Sequence, residues 1–163
     1  MNMSGIEQPR IIQFVYKAPV AIIGIIGVVY AFHIIFQYKE DTTLITNTAF
    51  AIIATLAALA FSFARVIETD KLKDRVMFAG ERLLHGAILV IVASILKYFL
   101  YLLYSIPAFE ESTWLTFVTS LTVGVLTGVV FANGIMFAHT GLRVLNDLLL
   151  LRFTRHKDWD DIF

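Results

Sequence analysis

Long apolar stretches alternate with short polar ones along this chain. Four of the apolar stretches are long enough to be membrane-spanning helices, and they cover residues 18–38, 44–66, 83–105 and 113–140. A helix that crosses the hydrocarbon core of a bilayer needs about 20 mostly apolar residues. Short connections join these stretches, so consecutive helices should run in opposite directions. The pattern predicts a single-domain, all-α integral membrane protein built as an antiparallel four-helix bundle.

The fourth stretch has one face of mostly small residues, which we call the seam. Residues at spacings of three and four share a helix face, and here they are Thr113, Thr116, Ser120, Gly124, Thr127, Phe131, Gly134, Ala138 and Gly141. Small side chains let another helix pack closely. In an oligomer, a hydroxyl-lined face can instead surround a narrow pore. Both uses stay open, and the candidates for a pore or a subunit interface are Thr116, Ser120, Gly124, Thr127 and Gly134.

The fourth helix should continue beyond the bilayer as a helical tail over residues 141–163. After Gly141 the sequence becomes charged but stays rich in leucine. Leu142, Leu145 and Leu148 would form an apolar face of that tail. These leucines should be buried against a neighbouring subunit, the membrane surface, or the segment 67–82.

Lys97 is the most informative residue of the third stretch. It lies about 9 Å from the outer end of the predicted helix, at roughly 1.5 Å per residue. A lysine at the centre of a bilayer costs about 2.5 to 3.5 kcal/mol, and less if it reaches the interface. It should pair with Glu110 and Glu111 of the next loop, or line a water-filled path together with Arg82, which shares its helix face.

Other polar residues inside or near the apolar stretches need partners within the protein or at the interface. They are His33, His85, Asn133 and His139. His85 and His139 fall at the same end of neighbouring helices, so a b-type haem held by both is a minor hypothesis. The sequence predicts no other cofactor and no metal site.

Composition and charge exclude several classes of function. The chain is 58% hydrophobic and only 16% charged, whereas a soluble domain carries about 25% charged residues. The formal net charge is zero, so nothing indicates a nucleic-acid partner. Cysteine is absent, which excludes disulfide, thiol-redox and cysteine-ligated metal chemistry. No catalytic motif is present, and we do not expect an enzyme.

Lysine and arginine collect before the first helix, within and beside the segment 67–82, and after the fourth helix. Because basic loops stay on the cytoplasmic side, both termini should be cytoplasmic, in what we expect to be a bacterial inner membrane. We expect the segment 67–82 to be a solvated cytoplasmic loop or a docking surface for a cytoplasmic partner. The i,i+4 spacing of Asp70 with Asp74 and of Lys71 with Arg75 is also compatible with a short solvated helix there. The docking candidates are Lys71, Lys73, Arg75, Arg152 and Trp159.

The packing order of the helices can also be predicted. The connection between the first and second helices is short, so these two should be neighbours. The second helix is rich in alanine, and it should therefore pack at the centre of the bundle.

Two functional hypotheses follow from different classes of protein. In the first, the chain forms a homo-oligomer that is pore- or channel-like. In the second, it is a non-catalytic membrane subunit that anchors, scaffolds or senses for a cytoplasmic or membrane partner. Small four-helix proteins of this plan occur in multi-gene bacterial systems, including defence systems, but that is an analogy of fold alone.

Overall fold

A computed structural model describes residues 10–36, 43–107 and 113–154, with side chains given for 19–35, 46–107 and 113–148. These residues form four α-helices and no strand, which confirms the all-helical prediction for the described part of the chain. The helices are α1 (Arg10–Phe36), α2 (Thr43–Val66), α3 (Asp70–Tyr104) and α4 (Thr113–Thr154). The tail beyond 154, with Trp159, and the side chain of Arg152 lie outside the described residues.

Three of the described helical segments are long and apolar enough to cross a membrane: Thr46–Val66, Asp70–Tyr104 and Thr113–Leu148. The apolar part of α1 with described side chains, Pro19–Ile35, is shorter. Large apolar side chains on these helices point outward, as Val29, Phe63 and Ile95 show with 60% or more of their surface exposed. Such surface favours hydrocarbon over water, so the fold suggests a membrane location.

The helices pack as a row with α3 and α4 in the middle. The main contacts of α2 are with α3, and those of α1 are with α4. Each contacting pair is antiparallel: in α3 and α4, for example, Gly86 faces Gly134 while Tyr104 reaches Ser120. The prediction that the first two helices are neighbours is therefore wrong. A short connection limits the distance between two helix ends, but it does not make the helices pack along their length.

The position predicted for α2 also needs correction, because it lies at the outside of the row. Ala57, Ala60 and Ala64 are buried against the core, whereas Ala51 and Ala58 on another face are exposed. The alanines are spread around the helix, and only those on one face serve the contact with α3.

The segment 67–82 is mostly helix rather than the predicted loop. Only residues 67–69 lie between α2 and α3, and the amide of Lys73 donates to the Thr69 carbonyl (3.0 Å) in the first turn. This part of α3 is helical because its apolar side is covered. Val76 and Ala79 are buried, and Gly80 lies against the ring of Phe61.

The first turns of α3 pack against the last turns of α4. Gly141 contacts Ala79 and Leu83, since a Cβ on Gly141 would lie 2.8 Å from the Ala79 carbonyl oxygen. Further along α4, Leu145 and Leu148 are partly buried against the core cluster that reaches Val76. Of the predicted apolar face, Leu145 and Leu148 thus lie against a cluster that includes part of the segment 67–82, whereas Leu142 is exposed. We call the paired segments 70–82 and 141–154 the helical extension.

Two helices approach each other closely where glycines of α3 and α4 face each other. A Cβ added to Gly86 would lie 2.7 Å from the carbonyl oxygen of Gly134, and one added to Gly134 would lie 3.0 Å from that of Gly86. Neither contact leaves room for a methyl group. The absence of side chains at these two positions thus sets the distance between the two central helices.

We expect Gly86→Ala to lower the free energy of unfolding by about 1 to 3 kcal/mol, because the new methyl group meets backbone that cannot move aside without separating α3 from α4. The measurement is thermal unfolding of the purified protein in detergent. Gly24→Ala is the matched control, since a Cβ there meets nothing within 4 Å. Equal stability of the two variants would contradict this account of the crossing.

Candidate functional site

The seam of α4 is buried inside the chain itself. Thr127 is fully buried, Ser120 and Phe131 are about 95% buried, and Gly124, Gly134 and Gly141 are buried as well. Only its N-terminal end differs, where Thr116 is half-buried and Thr113 is exposed. The seam is shared between two neighbours, because α1 covers part of it and α3 covers the rest.

The α1 side of the seam is a second close crossing between small residues. A Cβ added to Gly128 would lie 2.6 Å from the Gly27 carbonyl oxygen and 2.6 Å from the Cβ of Ala31. Beside this crossing, the rings of Tyr30 and Phe131 stack with centroids 4.4 Å apart. These contacts explain why α1 packs on α4 rather than on α2, since α1 and α4 place small residues opposite each other.

The two buried hydroxyl groups of the seam, those of Ser120 and Thr127, form hydrogen bonds within the chain. Thr127 Oγ1 donates to the Val123 carbonyl (2.7 Å), and Ser120 Oγ to the Thr116 carbonyl (2.9 Å). From α3, the hydroxyl of Tyr104 donates to the same Thr116 carbonyl (2.9 Å) and contacts Ser120 Oγ. The sequence alone does not predict this role of Tyr104, although the residue shares a helix face with Lys97 and Arg82.

This geometry bears on the proposed pore. A path lined by Ser120, Gly124 and Thr127 would require α1 or α3 to separate from α4, because these helices of the same chain cover those positions. The seam as folded is a packing surface. Lys97, the other pore candidate, is half-buried within the apolar part of α3, while Glu110 and Glu111 lie outside the described residues.

Arg82 is held by aromatic rings at the start of the apolar part of α3. Its guanidinium carbon lies 4.7 Å from the ring centroid of Phe78 and 5.3 Å from that of Phe137 on α4. A guanidinium over an aromatic face is attracted by the ring quadrupole. Arg82 therefore helps to join α3 and α4 at the base of the helical extension.

Among the described residues, the contacts of His33, His85 and His139 indicate no shared ligand-binding site. His85 is exposed, donates from Nδ1 to the Glu81 carbonyl (2.7 Å) and stacks on Phe137 at 6.0 Å. His139 is half-buried, and the ring that α4 places against His85 is Phe137. In the described part of the chain, His33 Nε2 is buried without a hydrogen-bond partner, and no three potential metal ligands cluster.

The basic docking candidates lie on the surface of the helical extension. Lys71, Lys73 and Arg75 are all exposed on the first turns of α3. Acidic residues are exposed among them, including Asp70 and Asp74. This end of the fold thus offers a polar surface of mixed charge on an apolar spine.

A groove of about 420 Å³ runs along the outer side of the α1–α4 crossing. Its lining is apolar except for Asn133, whose side chain is exposed on α4 and whose Nδ2 donates to the Val129 carbonyl (2.8 Å). In the described residues, the seam is therefore covered by neighbouring helices, whereas the apolar groove is open and contains one amide side chain.

No protein-family model, curated protein or solved structure matches the chain.

We expect Tyr104→Phe to lower the free energy of unfolding by about 0.5 to 1.5 kcal/mol, because it removes the hydroxyl that links α3 to Thr116 and Ser120. Thermal unfolding in detergent measures the change. Tyr101→Phe is the matched control, since Tyr101 is an exposed tyrosine of the same helix. If the two variants lost equal stability, the link between Tyr104 and α4 would not contribute to the fold.

Proposed function

We propose that this chain is a non-catalytic membrane subunit that presents its helical extension to a cytoplasmic partner. In this proposal all four helices span the plasma membrane as an antiparallel bundle, and both termini are cytoplasmic. The single observation that carries it is the pairing of α3 and α4 beyond the apolar region.

The two central helices are longer than a bilayer requires. α3 has 35 residues and α4 has 42, which correspond to about 52 and 63 Å at ~1.5 Å per residue. A hydrocarbon core is about 30 Å thick. The parts of α3 and α4 that exceed this thickness lie at the same end of the pair, where Gly141 packs on Ala79 and Leu83. A packed pair of helices leaving the membrane is a rigid support for a protein partner.

Charge supports the cytoplasmic side for that end. The helical extension contains six basic residues, Lys71, Lys73, Arg75, Arg82, Arg143 and Arg152, and basic residues near membrane helices favour the cytoplasmic side. It also contains four acidic residues, Asp70, Asp74, Glu81 and Asp147, so the surface is suited to a protein with mixed charge rather than to an anionic polymer.

A pore in a homo-oligomer is the second candidate, and the half-buried position of Lys97 favours it. A cation in the apolar part of α3 lies where it could face a path through an oligomer, and charged side chains can set ion selectivity. In this proposal the ion path is lined by Lys97 and not by the seam, which is covered by α1 and α3.

The subunit proposal is tested with single cysteines, because the natural chain has none. Glu68→Cys and Thr113→Cys place exposed probes at opposite ends of the packed pair α3 and α4. In intact cells, a membrane-impermeant maleimide should label position 113 and not position 68, while inverted vesicles should show the reverse. Labelling of both positions from one side would contradict the spanning topology.

The same two variants test the partner. A photo-crosslinker attached at position 68 should capture a discrete cytoplasmic protein, and the adduct should be reduced at least fivefold by Lys71→Glu with Lys73→Glu. Position 113 serves as the control and should give no such adduct. An adduct that is insensitive to charge reversal would count against docking on the helical extension.

The pore candidate makes a separate prediction. In vesicles reconstituted with purified protein, Lys97→Leu should change ion flux severalfold, since it removes the charge from the proposed path. Arg65→Leu is the control, because Arg65 is an exposed cation at the end of α2. Flux that is unaltered by Lys97→Leu, or absent in the unmodified protein, would remove this candidate.

A further inference from the structure

One outward face of α4 carries polar residues although it lies in an apolar helix. Thr122, Asn133 and Thr140 are separated by eleven and seven residues, so they lie on the same face. All three are exposed. Within a membrane, such a face would put polar groups against lipid, where they are costly. This face is distinct from the seam, which α1 and α3 cover.

Asn133 is the member of this face with unused hydrogen-bonding groups. Thr122 and Thr140 donate their hydroxyls to the carbonyls four residues earlier, each at 2.9 Å. Asn133 likewise donates one N–H to Val129. Among the described residues, no hydrogen bond reaches its side-chain carbonyl or its second N–H. An amide has two donors and an acceptor with two lone pairs, so much of its capacity is left over.

Its depth makes those unused groups significant. Position 133 lies about 10 Å from the middle of the stretch 113–140, at ~1.5 Å per residue. Half the thickness of a hydrocarbon core is about 15 Å. Asn133 is therefore inside the core if α4 spans the membrane, and its short side chain ends there. A lipid acyl chain on this face offers no hydrogen-bond partner.

The surface beside Asn133 can receive a helix. The α1–α4 groove of about 420 Å³ adjoins it, and Gly24 and Gly128 are among its lining residues. A Cβ on Gly24 would meet nothing within 4 Å, so the groove is open above that glycine. Val129 and Met136, both exposed, stand beside Asn133 as apolar ridges.

We propose that a second copy of this chain covers this face, with Asn133 of each copy hydrogen-bonded to Asn133 of the other. The inference rests on the proposed membrane insertion. In a symmetric dimer of two copies inserted with the same topology, the two-fold axis runs along the membrane normal, so residues at the axis meet their own counterparts at equal depth. Because an amide both donates and accepts, two asparagines complement each other across such an axis.

The first test measures association in lipid vesicles, by counting photobleaching steps of labelled protein over a range of protein-to-lipid ratios. The unmodified chain should be a dimer, and Asn133→Leu should weaken association roughly tenfold. Asn133→Gln keeps an amide and should retain most of the affinity. Thr55→Leu replaces an exposed polar residue of α2 and should leave the dimer unchanged.

The second test locates the contact. In oxidising conditions, Val129→Cys and Met136→Cys should each form disulfide-linked dimers in membranes, whereas Phe63→Cys, on the exposed surface of α2, should not. A monomeric chain, crosslinking as strong at position 63 as at 136, or an unchanged dimer in Asn133→Leu overturns the proposal.

The labelling of positions 68 and 113 separates this inference from the proposed function. If the labelling shows the expected sidedness but the chain is monomeric, only the dimer proposal is contradicted. If the labelling shows no sidedness, both proposals are contradicted, because Asn133 would then not lie inside a hydrocarbon core.

Discussion

The close crossing of α3 and α4 is the contact on which the rest of the structure depends. Gly86 and Gly134 let the two backbones meet without intervening side chains. Water does not drive helices together inside a bilayer, so close packing and hydrogen bonds must do so. α2 then packs on the free side of α3, and α1 on the free side of α4. A wider central crossing would displace both outer helices and also separate the helical extension.

The seam of α4 shows how completely this packing uses the small residues. Its Gly124, together with the neighbouring Gly128, admits α1, and its Gly134 admits α3, while the hydroxyls of Ser120 and Thr127 bond to backbone carbonyls. Little of its polarity remains for ions or for another subunit. The surfaces left for partners are different ones, namely the helical extension and the outward face of α4 that carries Asn133.

These two surfaces suit different kinds of contact. The helical extension exposes charges on an apolar spine, which is typical of a surface that meets water and a soluble protein. The face with Asn133 is apolar except for the unused groups of one amide, which is typical of a contact between helices in lipid. As proposed, one subunit would use the first surface to hold a partner beneath the membrane and the second to associate with a copy of itself.

The apolar pattern by itself determined the four helices, approximate bounds for the apolar parts of α2 to α4, and the small face of α4, because all of these depend on residue spacing along one helix. It did not determine which helix covers that face. α1 packs on α4 because Gly27 and Ala31 fit against Gly128, and Tyr104 meets Ser120 across sixteen residues. Residues 70–82 look like a loop from their charge but are helical because α4 buries Ala79. Only the tertiary structure decided which helices pack together and that residues 70–82 are helical, since both depend on shape matching between distant segments.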